Sequence, residues 1–151
     1  MSGITRIFQA LSKDDVRYLL IGGLASVLHG VPRTTADIDI AIDPSVKNLR
    51  ACIKALTEIG LTPGTDRIDE ILGLGGTTFL NDWAVDVLTS LPAPFKFEDL
   101  FGRCKTVVYE GVRIRVISLE DQIKILQTTK RRRDLEDAEH LQTYLSEGAG
   151  E

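Results

Sequence analysis

The chain has 151 residues, of which 43% are hydrophobic and 26% charged, and its formal net charge is −4. This length provides one hydrophobic core but not two, so we expect a single domain over residues 1–151. The acidic balance excludes a global basic field for nucleic acid, and contact with RNA or DNA would require a local patch. No apolar run has the length of a membrane span, and no signal-peptide pattern is present. Because Cys52 and Cys104 also lack metal-binding or redox spacing, we expect a cytoplasmic protein without a membrane partner.

Helical and strand patterns alternate along the chain, which predicts an α/β (α+β) fold with helices flanking a mixed central sheet. The catalytic core is expected at about 16–117 and a helical part at about 118–147. The glycine-rich stretch 61–76 is interpreted as a connector, with a mobile loop near the active site as the alternative. In chain order the predicted elements are a helix at 4–11, a strand at 18–21, a helix at 24–28, a strand around 38–42 and a helix at 46–59 capped by Ser45. Strands at 77–80 and 84–88 are expected to pair across a short Asn-Asp turn. A hairpin of 105–109 and 112–117 follows, and then helices from 118 onward.

Two carboxylates alternate with isoleucines in the strand around 38–42. Side chains alternate along a strand, so Asp37 and Asp39 emerge on the same face, roughly 6–7 Å apart at the backbone. Two like charges at that separation repel unless a cation lies between them, and carboxylates are ligands that Mg²⁺ prefers. The pair therefore predicts one half of a metal site, although an isolated Asp-x-Asp is more often a polar strand end or a turn.

A glycine pair, Gly22-Gly23, lies between the strand at 18–21 and the helix that follows it. The first backbone N–H groups of a helix point outward, and the missing side chains allow a phosphate to approach closely. The pattern predicts an anion site. The alternative is a tight strand-to-helix turn without a ligand.

A third carboxylate, Asp86, lies within the apolar run 84–88. A buried charge is costly unless it is paired or bound to a metal. With Asp37 and Asp39 on another strand, we expect Asp86 to join the same metal site. The alternative is an edge-strand residue that faces water.

The most basic stretch of the chain is the Lys-Arg-Arg-Arg segment at 130–133. Residues four apart are neighbours on a helix, and exposed ion pairs of that kind contribute little to stability. For three of these residues the pattern therefore favours a solvated helix face over a nucleic-acid site. The expected pairs are Lys130 with Asp134, Arg132 with Glu136, and Arg133 with Asp137.

Arg131 differs from its neighbours because the residues that follow it at helical spacing are apolar. This spacing predicts an inward-facing stripe with Asp134 at its border. An arginine on such a face requires an anion or a carboxylate partner. Arg131 is therefore expected either to point toward a nucleotide or to join the C-terminal helices to the sheet. The stripe consists of Leu135, Ala138, Leu141 and Leu145.

The order of these motifs resembles the DNA polymerase β-like nucleotidyltransferase superfamily, and more narrowly its small bacterial members of the abortive-infection, toxin–antitoxin type. The resemblance covers most of the chain and implies the polymerase β-like fold with C-terminal helices. It is carried by Gly22-Gly23, by Arg33-x-Thr35-x-Asp37-x-Asp39, by the later strand residue Asp86, by the hairpin at 107–117, by the helix start at Ser118, and by Arg131-x-x-Asp134-Leu135-x-Asp137.

The resemblance implies two-metal chemistry on a nucleoside triphosphate. Asp37 and Asp39 would hold both Mg²⁺ ions, with Mn²⁺ as an alternative, and Asp86 would complete one site or act as the general base. Relatives also carry a helix lysine for the triphosphate. Lys124 and Lys130 are the candidates here, although their spacing departs from the family pattern.

The resemblance also implies phosphate contacts near the glycine pair. Gly22 and Gly23 would cradle the triphosphate through their backbone N–H groups. Many relatives have a serine where Gly23 stands, so the contact is backbone-only or Ser26 substitutes for it. Arg33 is expected to bind phosphate or to fold the loop, and Thr35 to cap or orient the first carboxylate.

The leading functional hypothesis is transfer of a nucleoside monophosphate to a hydroxyl of a macromolecule, a tRNA 3′ end or a protein side chain, in a toxin–antitoxin or phage-defence role. A cognate antitoxin or a homodimer would then supply further surface. One alternative is a small-molecule acceptor, as in antibiotic-modifying relatives, which the acidic charge favours. The other is a nucleotide- or partner-binding module without turnover, although three converging carboxylates argue against it.

Overall fold

The computed structural model describes residues 3–148 as an α/β fold with a mixed sheet, which confirms the predicted fold class. Among these residues no helix is long and apolar enough to cross a membrane. The elements are α1 (Gly3–Lys13), β1 (Tyr18–Ile21), α2 (Gly22–Leu28), β2 (Asp37–Ile42), α3 (Val46–Glu58), β3 (Thr62–Pro63), α4 (Ile68–Leu74), β4 (Gly76–Leu80), β5 (Ala84–Leu88), α5 (Phe97–Gly102), β6 (Lys105–Tyr109), β7 (Val112–Val116), α6 (Leu119–Thr129) and α7 (Arg132–Gly148).

The seven strands form one sheet in the order β3-β4-β5-β2-β1-β7-β6. β2 pairs with β5 in parallel and with β1 in antiparallel orientation, so the central strands are mixed. Two antiparallel hairpins, β4–β5 and β6–β7, extend the sheet on either side, and both were predicted from the sequence. The Ser45 cap of α3 is also confirmed, because its hydroxyl accepts a hydrogen bond from the Asn48 backbone N–H at 3.3 Å.

The hydrophobic core lies between the sheet and the helices α1 and α3. The strand residues Ile38, Ile40 and Val85 are fully buried there, as the alternating pattern requires. A second, smaller cluster joins α6 and α7 to the segment after α2 through Val31 and Leu141. Because successive side chains of a strand point to opposite faces, the residues between these core positions lie on the other face of the sheet. That face is directed toward the C-terminal helices or toward solvent.

The expectation that 61–76 is only a connector is wrong, because this stretch contains β3 and α4. Ile71 is fully buried and fixes α4 against the rest of the domain. Gly75 ends the helix in the left-handed conformation, with φ +81°. Gly75, one of the glycines that resembled a loop, therefore marks the end of a short helix, a role for which glycine is favoured.

The expectation that residues 130–137 lie together on one helix is also wrong, because α7 begins at Arg132. Lys130 adopts a left-handed conformation with φ +58°, which ends α6 and separates it from α7. The expected pair of Lys130 with Asp134 does not form. Asp134 instead accepts a hydrogen bond from Nε of Arg131 at 3.0 Å. The pair of Arg132 with Glu136 is confirmed at 3.1 Å.

Asp137 was expected to face Arg133, but it binds a residue from the other end of the chain. Arg33 donates from Nε and Nη2 to the two carboxylate oxygens of Asp137, at 3.2 and 2.5 Å. The Asp137 side chain is 6% exposed and that of Arg33 20%. This bidentate ion pair fixes α7 to the loop that leads into β2, so the C-terminal helix and a candidate catalytic strand are held together.

We predict that Asp137→Ala lowers the free energy of unfolding by about 3 kcal/mol, because it leaves the Arg33 guanidinium buried without its counter-charge. The control is Glu136→Ala on the same helix, whose partner Arg132 is 93% exposed. Loss of that exposed pair should cost under about 1 kcal/mol. Urea unfolding of both variants measures the difference, and equal losses would contradict a stabilising role for the Arg33–Asp137 pair.

Candidate active site

A cleft of about 580 Å³ lies between the sheet and the junction of α6 and α7. Its sheet side carries the three predicted carboxylates and the glycine pair, and its helix side carries residues from the end of α6 and the start of α7. The structure therefore brings together the motifs that are separate in the sequence. The lining residues used below are Gly22, Gly23, Asp37, Asp39, Thr78, Asp86, Thr129, Arg131 and Asp134.

The carboxylates of Asp39 and Asp86 are neighbours on adjacent parallel strands. The register of β2 and β5 pairs these two residues directly, while Asp37 pairs with Ala84 one row away and is exposed. Burial, a hydrogen bond with Asp86, and the negative charges of Asp86 and Asp37 together raise the pKa of Asp39 to about 7, against a smaller lowering by Arg131. Without a cation, the pair therefore relieves its repulsion by keeping a proton.

The turn at Gly22 is shaped by the proximity of Asp39. Gly22 has φ +72°, and a Cβ atom at this position would lie 2.3 Å from Oδ2 of Asp39. Both observations require glycine. Its carbonyl oxygen accepts a hydrogen bond from Nε2 of Gln122 at 2.8 Å. Gln122 on α6 thus holds the backbone of the glycine turn against the first carboxylate strand.

Gly23 is packed against the loop that precedes β2. A Cβ atom here would lie 3.2 Å from both Nη2 of Arg33 and Oγ1 of Thr35. These two side chains lie behind Gly23 rather than among the residues that line the cleft. Arg33 is occupied by Asp137, and Thr35 donates from its hydroxyl to the backbone carbonyl of Asp37 at 3.3 Å. Their contacts support the loop-folding alternative that the sequence left open for Arg33.

Ser26 does not reach the cleft, which corrects the expectation that its hydroxyl substitutes for a missing serine. The side chain is fully buried and accepts a hydrogen bond from Nε2 of Gln122 at 2.9 Å. A fully buried hydroxyl on the far side of the turn cannot contact a phosphate. Any phosphate contact of the glycine turn is therefore left to the backbone of Gly22 and Gly23.

Of the four basic residues considered for the phosphates, Arg33, Lys124, Lys130 and Arg131, only Arg131 lines the cleft. Its side chain is 77% exposed and bonds to Asp134, so the expectation that it lies on an inward apolar stripe is wrong. The helix break places Arg131 before α7 begins. Lys130 ends α6 and Lys124 lies on the exposed side of that helix, and neither lines the cleft.

Sequence reasoning missed three residues that shape the site: Thr78, Thr129 and Gln122. Thr78 donates from its hydroxyl to Oδ1 of Asp86, and Thr129 donates from its hydroxyl to Oδ2 of Asp134 at 2.7 Å. Thr78 and Asp86 lie on the two strands of the expected hairpin, but they face each other because residues 81–83 form its loop, one residue more than the expected Asn-Asp turn. Gln122 carries no local signal, because its partners are about one hundred residues away.

The donor set fits a hard divalent cation. No group of three His, Cys, Asp or Glu side chains within 3–148 is gathered closely enough to enclose a metal ion by itself. Mg²⁺, however, usually takes one or two carboxylates and fills its remaining positions with water and substrate phosphate. Asp39 and Asp86, held side by side with a retained proton, provide those carboxylates, and Asp37 lies next to them on β2.

A family model described as "Nucleotidyltransferase of unknown function (DUF6036)" matches residues 3–145. The chain belongs to this nucleotidyltransferase family, and its resemblance to the polymerase β-like superfamily is confirmed. No curated protein matches the chain significantly.

Solved structures share the fold over almost the whole chain. The lincosamide antibiotic adenylyltransferase LnuA in its lincomycin-bound form is 20% identical, with a TM-score of 0.66 over 94% of this chain and 97% of that one. ANT(2'')-Ia in complex with adenylyl-2''-tobramycin is 16% identical, with a TM-score of 0.65 over 94% and 87%. TM1012 from Thermotoga maritima, assigned as a nucleotidyltransferase, is 21% identical, with a TM-score of 0.64 over 95% and 91%. At these identities the similarity shows the fold.

We predict that Asp39→Asn stabilises the metal-free protein more at high pH than at low pH. The unfolded chain releases this proton near the ordinary pKa of 3.8, whereas the folded protein keeps it up to about pH 7. The wild-type protein therefore loses stability between these two pH values, and asparagine removes that loss. In EDTA, the gain in thermal midpoint should be at least about 3 °C larger at about pH 8 than at about pH 4.5.

The control for this measurement is Asp82→Asn, which removes a carboxylate from the exposed turn between β4 and β5. It makes the same change in net charge at a site outside the cleft. If Asp39→Asn produced the same gain at both pH values, the proton retained by the carboxylate pair would have no role in stability.

Proposed function

We propose that the protein is a Mg²⁺-dependent nucleotidyltransferase that transfers a nucleoside monophosphate from a nucleoside triphosphate to a hydroxyl group. The observation that carries this proposal is the in-register pair of Asp39 and Asp86, with Asp37 beside it, in a cleft bordered by Gly22 and Gly23. Membership of the nucleotidyltransferase family supports the same reaction class. The proposal goes further than the family in naming the cation, the donor and the residues.

In the proposed reaction the acceptor oxygen attacks the α-phosphorus, the bond from that phosphorus to the bridging oxygen breaks, and pyrophosphate leaves. The acceptor hydroxyl gives its proton to a base, for which Asp86 is the candidate. Asp37, Asp39 and Asp86 would hold two Mg²⁺ ions, or Mn²⁺ in their place. When bound, such ions neutralise phosphate charge and favour ionisation of the acceptor hydroxyl.

The triphosphate is proposed to lie along the glycine turn. The absence of side chains at Gly22 and Gly23 leaves their backbone accessible from the cleft. Arg131 is a basic residue that lines the cleft, and its guanidinium is bonded to Asp134. Because the Arg131 side chain is exposed, its guanidinium can leave this carboxylate and bind a phosphate instead. Both contacts position the donor for in-line attack.

For the acceptor we propose a macromolecule, with a tRNA 3′ end first and a protein side chain second. The supporting observation is the basic segment 130–133 at the rim of the cleft. Lys130 and Arg133 are exposed and form no ion pair within the described residues, so both are free to contact a polyanion. We further propose that this transfer serves a toxin–antitoxin or phage-defence role. A cognate antitoxin or a second copy of the chain would then be the protein partner. The free thiols of Cys52 and Cys104 are compatible with a cytoplasmic setting.

A small cationic acceptor is the second candidate, and the charge of the cleft favours it. Within the part of the chain that the structure describes, four carboxylates line the cleft and Arg131 is its one basic residue. The carboxylates are those of Asp37, Asp39, Asp86 and Asp134. An excess of carboxylates suits an acceptor that carries amino groups. The solved structures with the same fold include antibiotic adenylyltransferases, for which the printed ligands are small molecules.

We predict that the purified protein, given Mg²⁺ and each of the four α-³²P-labelled nucleoside triphosphates in turn, transfers label to a component of total tRNA or cell lysate. Asp37→Asn/Asp39→Asn should lower the rate at least about 100-fold, because both metal ligands lose their charge. Asp82→Asn, which removes one exposed carboxylate outside the cleft, is the control and should retain the wild-type rate. Label that persists unchanged in the double variant would contradict the assignment of these carboxylates.

We predict that Lys130→Glu/Arg133→Glu lowers kcat/KM for a tRNA acceptor by about tenfold at low salt and weakens its salt dependence. The KM for the nucleotide should not change, since neither residue lines the cleft. Lys47→Glu/Arg50→Glu makes the same charge change on the exposed side of α3 and serves as the control. Equal effects of the two variants, or label only on small molecules, would favour the second candidate acceptor.

A further inference from the structure

Thr78 on β4 makes a direct side-chain contact with a carboxylate of the cleft. Its Oγ1 donates a hydrogen bond to Oδ1 of Asp86 at 2.5 Å. Both side chains are partly buried and both line the cleft. Of the three sheet carboxylates in the cleft, Asp37, Asp39 and Asp86, the last has an oxygen that accepts from a hydroxyl group within the described residues.

The register of the sheet explains why this contact forms. Ile21, Asp39, Asp86 and Thr78 pair in sequence across β1, β2, β5 and β4, and therefore project from the same face in one row. Thr78 ends the row, directly beside Asp86. Asp86 therefore has the Thr78 hydroxyl as its neighbour on the β4 side and Asp39 as its neighbour on the β2 side.

The position of the Thr78 hydroxyl is tightly defined. The backbone of Thr78 pairs with β5, and its carbonyl oxygen accepts a hydrogen bond from the Gly64 backbone N–H at 2.9 Å on the β3 side. Threonine is also β-branched, which restricts rotation about its Cα–Cβ bond. The donor is thus fixed by strands on both sides and by its own side-chain stiffness.

We propose that Thr78 is a positioning residue, whose hydroxyl fixes the orientation of the Asp86 carboxylate for metal binding and for proton acceptance. The inference rests on the proposed nucleotidyl transfer for its catalytic consequence, but its effect on a bound cation does not. A fixed carboxylate loses less freedom on binding an ion, and its angle to the acceptor is set before the reaction.

Thr78→Val keeps the shape of the side chain and removes the hydroxyl, whereas Thr78→Ser keeps the hydroxyl. We expect Thr78→Val to lower kcat by about tenfold, the usual effect of losing one hydrogen bond to a charged group. The KM for the nucleotide should change less than about twofold, because Thr78 orients Asp86 rather than the phosphates. Thr78→Ser should recover most of the rate. Thr106→Val, on the exposed strand β6, makes the same chemical change away from the cleft and should have the wild-type rate.

A second readout separates this inference from the proposed reaction. Mn²⁺ binding to each variant, followed by electron paramagnetic resonance without nucleotide, requires no turnover. We expect Thr78→Val to bind Mn²⁺ at least about threefold more weakly than the wild-type protein and Thr78→Ser to bind nearly as well. If no acceptor is labelled but this order of affinities is found, the proposed transfer fails and the positioning role stands.

Two kinds of result would overturn the positioning role. One is a Mn²⁺ titration in which the wild-type, Thr78→Val and Thr78→Ser proteins do not differ, whether all bind equally or none binds. The other is a Thr78→Ser protein as slow as Thr78→Val, since the hydroxyl would then not be the group that matters. Thermal midpoints of all variants, measured in EDTA, identify any variant whose loss comes from unfolding.

Discussion

The repulsion between two carboxylates on adjacent parallel strands is the constraint on which the site depends. In-register pairing of β2 and β5 places Asp39 beside Asp86 across an inter-strand spacing of about 4.8 Å. Partial burial prevents water from screening the two charges, so the folded protein keeps a proton on Asp39 until about pH 7. A cation removes the need for that proton. The repulsion between the two carboxylates thus lowers the stability of the metal-free fold, at the position where a metal-dependent reaction requires clustered negative charge.

The segments around the carboxylate pair are arranged to maintain it. Gly22 leaves space for the Asp39 carboxylate that any larger residue would fill, and Gln122 fixes the glycine turn from α6. The Arg33–Asp137 pair holds α7 against the loop that enters β2. The C-terminal helices therefore serve the site twice, as a wall of the cleft and as a brace for the strand that carries two of its carboxylates.

The sequence predicted every strand of the sheet except β3, and the three carboxylates, because alternation and charge in an apolar run are local signals. It could not predict that Asp137 binds Arg33 rather than its helical neighbour, because a bidentate partner one hundred residues away outweighs an exposed pair on one helix. The helix break was missed because Lys130 has no side-chain signal for a left-handed conformation. The helix α4 within 61–76 was missed because the glycines of this stretch are typical of a loop. The burial of Ile71, which holds α4 against the domain, arises only in the folded protein.

The central claim is that a divalent cation replaces the proton retained by the carboxylate pair. The most direct measurement is anomalous X-ray diffraction from crystals grown with Mn²⁺ and an α,β-methylene analogue of the nucleoside triphosphate. The account predicts an anomalous peak between the carboxylates of Asp39 and Asp86, with the triphosphate extending toward Gly22 and Gly23. A structure with the nucleotide bound, no manganese at that position, and the hydrogen bond between the two carboxyl groups intact would contradict it.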